Sequence, residues 1–329
     1  MSGASQPILR VKELHKAFGN VQAVNGVSFE VGAGEVVGFI GANGAGKTTT
    51  MRMMATLEVP DSGVVEVGGW DASQYPEKVR RLVGWMPDAY GSYANMTVWD
   101  YLDFFARLLD LKKGERKERI AEISEFSGLV DLLDRPVNGL SKGMAQRLCL
   151  GRALLQKPRI LIMDEPAAGL DPKARLEFKN AVNLLKKSGV TIFISSHILS
   201  ELEEMCDGLL FIDQGRVVHQ GARGSLRSEQ DSSGEAHTLV EIRVVGSEEP
   251  LLAWLRMAPG WDVADCFAGG ARATFAGTGE EALSSELRRM VLEGVRVSGF
   301  QVQRRRLEEI FVEVLKSGTE GRARRPWES

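Results

Sequence analysis

Residues 36–49 read VVGFIGANGAGKTT, and the organisation of the chain unfolds from them. The apolar run Val36–Ile40 predicts a strand buried on both faces, as in a parallel sheet. It enters a glycine-rich turn, GANGAGKTT at residues 41–49, with the spacing G-x-x-x-x-G-K-[ST], and a helix is predicted from Lys47. Glycines at 41, 44 and 46 let the backbone of Gly41, Ala42, Asn43, Gly44, Ala45 and Gly46 bend until successive N–H groups point at an anion. The helix start adds partial positive charge there. Lys47 would neutralise phosphate oxygens and the Thr48 hydroxyl would ligate Mg2+, with Thr49 closing the turn.

A second apolar strand ends in acids: residues 160–166 read ILIMDEP. In α/β sheets ligands bind beyond the carboxyl ends of the strands, where these carboxylates are expected. Asp164 is then suited to hold Mg2+ through water, and Glu165 to orient and deprotonate an attacking water. Around these two stretches, residues 8–221 alternate β-branched runs with helical patterns, the sign of an α/β domain with a largely parallel sheet. Residues 99–109 and 120–133 carry helical apolar spacing and predict a helical insert.

Composition breaks after that. Residues 223–237 are polar and aperiodic and read as a linker. Beyond it strands are expected at 238–245, Trp261–Phe267, 271–275 and 295–302, with helices at 250–257, 280–293 and 307–315. Two βαβ halves of this kind suggest a ferredoxin-like α+β unit over residues 238–316, followed by a tail at 317–329. The last helix would carry Leu307, Ile310, Phe311, Val314 and Leu315 on one face.

The 329 residues, 43% hydrophobic and 26% charged, suit two globular domains. A net charge of -3 gives no general reason to expect nucleic acid as a partner. Three scattered cysteines, Cys149, Cys206 and Cys266, match neither a zinc spacing nor an even disulfide set and point to a reducing compartment. The N-terminus has no apolar core of a secretory signal, and the apolar runs are strand-sized, well short of the roughly 20 residues that cross a bilayer.

Residues 140–147, LSKGMAQR, narrow the reading. Just before the acidic strand, they resemble the signature of ABC (ATP-binding cassette) transporters. The resemblance covers residues 8–221, two thirds of the chain. It implies a P-loop ATPase cassette with a helical subdomain, residues 7–222, and Mg-dependent ATP hydrolysis powering transport. In such proteins Ser141, Lys142, Gly143 and Met144 contact ATP held by a second cassette, in a homodimer or heterodimer. AGLD at 168–171 resembles the loop through which Asp171 couples the two cassettes. His197, in ISSHIL, resembles the switch histidine at the γ-phosphate, and Phe18 the aromatic that stacks on adenine. The family usually has Gln in the loop joining the subdomains; here WMPDAY at 85–90 has Asp88, either a metal ligand or a loop residue transmitting movement.

The resemblance further implies a transmembrane permease on a separate chain, a cytoplasmic location at the inner face of the membrane, and an exporter-type system. Tyr90, Tyr93, Trp99 and Tyr101 form an aromatic stretch that is either the permease dock or core of the insert. Ribosome-associated relatives carry two cassettes in tandem, and chromosome relatives a long heptad insert; neither pattern is present.

Overall fold

The computed structural model describes residues 7–88, 91, 95–198, 202, 205–222, 229–230, 236–277 and 279–302. The chain divides into two compact units, parting after Ala222. The tail and the expected helix at 307–315 lie outside the described residues, as does most of the expected linker.

The first unit contains two sheets. One is antiparallel, formed by β1 (Leu9–Phe18), β2 (Val21–Val31), β4 (Ser62–Val67) and β5 (Trp70–Asp71) in the order β2-β1-β4-β5. The other runs β10-β9-β3-β8-β7-β6, from β3 (Val36–Ile40), β6 (Val83–Met86), β7 (Ile160–Met163), β8 (Thr191–Ser196), β9 (Gly208–Asp213) and β10 (Arg216–Ala222). Its pairings are parallel except at the β9–β10 hairpin. The antiparallel sheet was not anticipated, because its strands alternate only irregularly between buried and exposed positions and lack the continuous apolar runs of β3 and β7. The two sheets share one core, in which Phe29 stacks on Phe193 at 5.4 Å and Phe39 sits 5.2 Å from Phe193.

Helix α1 (Lys47–Met54) leaves β3 through the glycine-rich turn, and α2 (Pro76–Leu82) precedes β6. The helical insert comprises α3 (Val98–Leu108), α4 (Lys113–Phe126) and α5 (Lys142–Leu154); α6 (Pro172–Lys187) follows β7. Thr97 caps α3 in a reciprocal box with Asp100, and the Thr97 hydroxyl and amide hold the Asp100 carboxyl below the usual carboxylate range. The helix expected over 120–133 begins earlier and stops at Phe126. Gly128, at φ +63°, sends the Leu129 N–H back to Ser124 O at 2.7 Å, a Schellman stop that turns Val130–Leu132 into a short 3-10 turn.

Tyr101 is fully buried, and its hydroxyl accepts a hydrogen bond from Arg152 at 3.0 Å. It therefore belongs to the core of the insert, which corrects the docking reading for that residue. Trp99 is half-buried, and Tyr90 and Tyr93 lie outside the described residues.

The second unit runs β12 (Ala236–Val244), α7 (Glu249–Met257), β13 (Trp261–Phe267), β14 (Gly270–Phe275), α8 (Glu280–Leu292) and β15 (Val297–Val302). All its pairings are antiparallel, in the order β15-β12-β14-β13, the ferredoxin-like arrangement of a βαββαβ unit. Part of the expected linker is strand: β11 (Glu229–Gln230) pairs with the first residues of β12. Val240, Ile242, Leu251, Leu255, Ala271, Ala273 and Met290 fill its core. The indole N–H groups of Trp254 and Trp261 donate to Glu293 and Glu286 at 2.7 and 2.8 Å.

Two predictions follow from this architecture. Gly46 sits at φ +104°, and a Cβ there would lie 2.4 Å from the Ala23 carbonyl oxygen, so Gly46→Ala both strains the turn and pushes on backbone. It should lower stability in urea unfolding by about 1 kcal/mol or more; a native midpoint would show that the turn relaxes freely. Cys149 and Cys206 are buried, Cys266 is exposed, and burial pushes the Cys149 thiol up, against the opposing charge of Arg152. Mass spectrometry after brief alkylation at neutral pH should find Cys266 modified and the other two protected until unfolding.

Candidate functional site

Strands β3, β7 and β8 run parallel and end on the same edge of the sheet, so the loops leaving them meet. A cavity of about 570 Å³ opens there, lined by the glycine-rich turn and by Lys47, Thr48, Asp88, Asp164, Glu165 and His197. Six sequence-predicted groups are thus neighbours in space although they span residues 47–197. Val21 and Ala23, from the β1–β2 side, complete one wall; nothing in their residue types announces that position.

The turn itself fits an anion. Helix α1 begins at Lys47 with Gly46 as its cap residue and no side-chain cap, so the N–H groups of its first turn have no partner within the helix. Lys47 is buried, and its Nζ donates to Gly41 O at 2.7 Å and Ala42 O at 3.2 Å. Those bonds hold the ammonium inside the curl of the loop. Its remaining N–H capacity faces Glu165 Oε1, 3.4 Å away.

The acids at the end of β7 are held differently. Asp164 is buried, and its Oδ1 accepts from the Ser195 hydroxyl at 2.7 Å. The Glu165 N–H donates to the same Ser195 oxygen at 2.9 Å. Glu165 lies at φ +47°, a left-handed conformation that costs a non-glycine residue about 1 kcal/mol or more. Its Oε2 is 2.5 Å from His197 Nδ1. An ionised carboxylate can only accept, so with Glu165 ionised Nδ1 carries the proton. Its Oε1 is buried and accepts no hydrogen bond from the described residues. Its charge is met by the Lys47 ammonium, 3.4 Å away, without a hydrogen bond.

Ser195 was missed by sequence reasoning, although the ISSHIL stretch contains it. The only available signal was its spacing, two residues before His197 and so on the same side of β8. Gln146 was missed as well: its buried amide reaches from α5 to Pro166 O at 2.5 Å, joining the helix of residues 142–154 to the residue after Glu165.

The other predicted residues, Asp88 excepted, stand apart from this cavity. Ser141 caps α5, its Oγ accepting from the Met144 N–H at 3.4 Å, and Ser141 and Lys142 are exposed. Neither they nor Gly143 and Met144 line the cavity. Asp171 caps α6 through a 2.9 Å bond from the Ala174 N–H, a local task sufficient to explain an acid there. Phe18 is half exposed at the end of β1, with Lys16 Nζ 5.3 Å from its ring centre. Asp88 is exposed and lines the cavity mouth.

Residues 24–168 match the model of the ABC transporter family. The linearmycin resistance ATP-binding protein of Bacillus subtilis is 34% identical over 249 residues, covering 76% of this chain and 79% of that protein. The Nod factor export ATP-binding protein I of Ralstonia nicotianae is 39% identical, covering 66% of this chain and 68% of that one. A solved structure described as the ATP-binding subunit of an ABC transporter superposes with a TM-score of 0.61 at 32% identity, covering 67% of this chain and 92% of that one. The chain belongs to the ATP-binding proteins of ABC transporters, the subunits that bind and hydrolyse ATP to power transport through a membrane-spanning permease.

Proposed function

We propose that Lys47, Glu165 and His197 form the hydrolytic centre of this ATPase, with the loop from Gly41 to Thr49 cradling the triphosphate. The observation that carries this reading is that Glu165 lines the cavity with Lys47 and His197 and meets both, its Oε1 3.4 Å from Lys47 Nζ and its Oε2 2.5 Å from His197 Nδ1. Once His197 turns to the nucleotide, a water on the Glu165 carboxylate would be oriented toward the terminal phosphate and would pass its proton to that carboxylate as it attacks. Lys47 stabilises charge gathering on the phosphate oxygens. His197, already in contact with Glu165, would bring its ring to the γ-phosphate when nucleotide arrives. Phe18 would offer its exposed ring to adenine.

Thr48, Asp164 and Asp88 supply an oxygen-only donor set that suits Mg2+. Charge argues the same way: three carboxylates, Asp88, Asp164 and Glu165, line the cavity against one ammonium, Lys47, so like charges repel there. Mg2+ bound there would offset that repulsion and polarise the phosphate being transferred. The position of Asp88 at the mouth favours a metal-facing carboxylate, with its loop carrying movement toward the permease.

The signature residues Ser141, Lys142, Gly143 and Met144 stand at the start of α5, the first two exposed and the other two partly buried, outside the cavity of their own chain. We read them as half of a composite site that closes on the nucleotide of a second cassette, identical or a sister chain, with Asp171 at the crossing. We read residues 7–222 as the cassette and 238–316 as a separate α+β domain, whose last residues, 303–316, lie outside those described. Among the described residues no helix is long and apolar enough to cross a membrane; membership of the ABC transporter family is what supports a peripheral place on the cytoplasmic face beside a permease on another chain. The names of the resistance and export relatives favour export.

Replacing Glu165 by Gln should preserve ATP binding while lowering turnover about 10²- to 10⁴-fold, the scale of a lost general base. The variant should accumulate as an ATP-bound dimer; native turnover in Glu165→Gln would remove Glu165 from the chemistry. Ser141→Arg, at an exposed cap, should leave nucleotide affinity intact and abolish ATP-driven dimerisation in that background. Light scattering that still shows the ATP-dependent dimer would count against the sandwich.

A further inference from the structure

One buried hydroxyl joins both acids of the proposed centre, and its geometry is too specific to be incidental. Ser195 is fully buried at the end of β8. An ionised Asp164 only accepts, so the Ser195 proton must lie in the 2.7 Å bond to Asp164 Oδ1. The lone pairs left on Oγ then face the Glu165 N–H, whose nitrogen is 2.9 Å away. The same atom therefore fixes an Asp164 oxygen by donating and the Glu165 backbone by accepting.

The strand register makes this possible. Ile160 to Met163 pair in order with Thr191 to Ile194, so the next step of the parallel ladder sets Asp164 beside Ser195. Two residues further on, His197 meets the Glu165 carboxylate. Glu165 thus has its backbone held from one residue of β8 and its side chain held from the loop just beyond that strand. Its left-handed φ of +47° needs such support, because the residue type does not prefer that conformation.

We propose that Ser195 is a positioning residue for hydrolysis: by holding the Glu165 backbone it sets the Glu165 carboxylate for the attacking water, and it leaves the second oxygen of Asp164 to face the metal. This rests on the reading of Glu165 and Asp164 given above. Ser195 itself does not line the cavity. Its effect passes through the two acids, so it belongs to the rate and to metal-dependent affinity, and not to the grip of the loop on phosphate.

The test uses the full chain with Ser195→Ala, a smaller side chain that leaves the strand pairing intact. Steady-state ATPase rates and titration with a fluorescent ATP analogue, in EDTA and in Mg2+, give the readouts, with thermal melting as a check on folding. Turnover should fall about 10- to 100-fold, the usual effect of removing a group that orients a ligand. Affinity in EDTA should stay within about twofold, and the affinity gained on adding Mg2+ should shrink. Ser195→Ala added to Glu165→Gln should cost little more, since both act through one carboxylate. Turnover within about twofold of native would overturn the inference. So would equal losses of turnover and EDTA affinity, which mark a merely structural serine. The Glu165→Gln arm separates the two readings. If that variant keeps native turnover, the role of Glu165 fails and this inference with it. If it is inactive while Ser195→Ala is native, the role of Ser195 alone is lost.

Discussion

The parallel pairing of β3, β8 and β7 is the constraint on which the rest of the first unit depends. Their hydrogen bonds place the glycine-rich turn, the acids and the histidine at one edge, from stretches more than a hundred residues apart in sequence. Side chains alternate along a strand, so a one-residue slip of β8 would turn Ser195 and His197 to the opposite face. The packing of Phe193 on β8 against Phe39 on β3 and Phe29 on β2 opposes that slip, because aromatic rings of that size have no second seat in the core. The hydrophobic interior thereby fixes the geometry of a polar site it does not touch.

At that edge the chain tolerates arrangements that isolated residues avoid. Lys47 is buried, Asp164 is buried, and Glu165 takes a left-handed backbone conformation. Each is offset locally: loop carbonyls hold the ammonium, and the Ser195 hydroxyl serves both the Asp164 side chain and the Glu165 amide. The Oε1 of Glu165 accepts no hydrogen bond from the described residues and is offset by charge, with Lys47 Nζ 3.4 Å away.

The helical insert is tied to this centre by a few polar contacts. The Arg119 guanidinium, from α4, donates to the carbonyls of Leu154 and Leu155 at the end of α5. Such a contact satisfies acceptors that a helix end otherwise leaves open. Near the start of α5, Gln146 reaches Pro166, beside Glu165. The helix that begins with Ser141 is therefore held at its far end by its own subdomain and near its start by the catalytic strand. A shift at Glu165 has a direct covalent and hydrogen-bonded route to the signature residues proposed to meet a second cassette.

Much of this was legible in the sequence because the signals are local. Continuous apolar runs identified β3 and β7, glycine spacing identified the phosphate turn, and the strand-helix rhythm of residues 238–302 pointed to the ferredoxin-like unit. The antiparallel sheet was not legible, since its strands alternate weakly, and the end of α4 was misplaced because the apolar spacing runs on through Gly128, whose left-handed stop leaves no mark in that pattern. Tyr101 read equally well as surface or core, for a tyrosine has a ring to bury and a hydroxyl to satisfy; only the approach of Arg152 in the folded insert decided it. Ser195, Gln146, Val21 and Ala23 acquired their places through strand register and helix packing, which bring together groups that no linear spacing relates. By itself the sequence determined which residue types could bind phosphate and activate water. The tertiary structure decided which of their atoms are buried, paired or left open, because burial and hydrogen bonding depend on neighbours that only folding supplies.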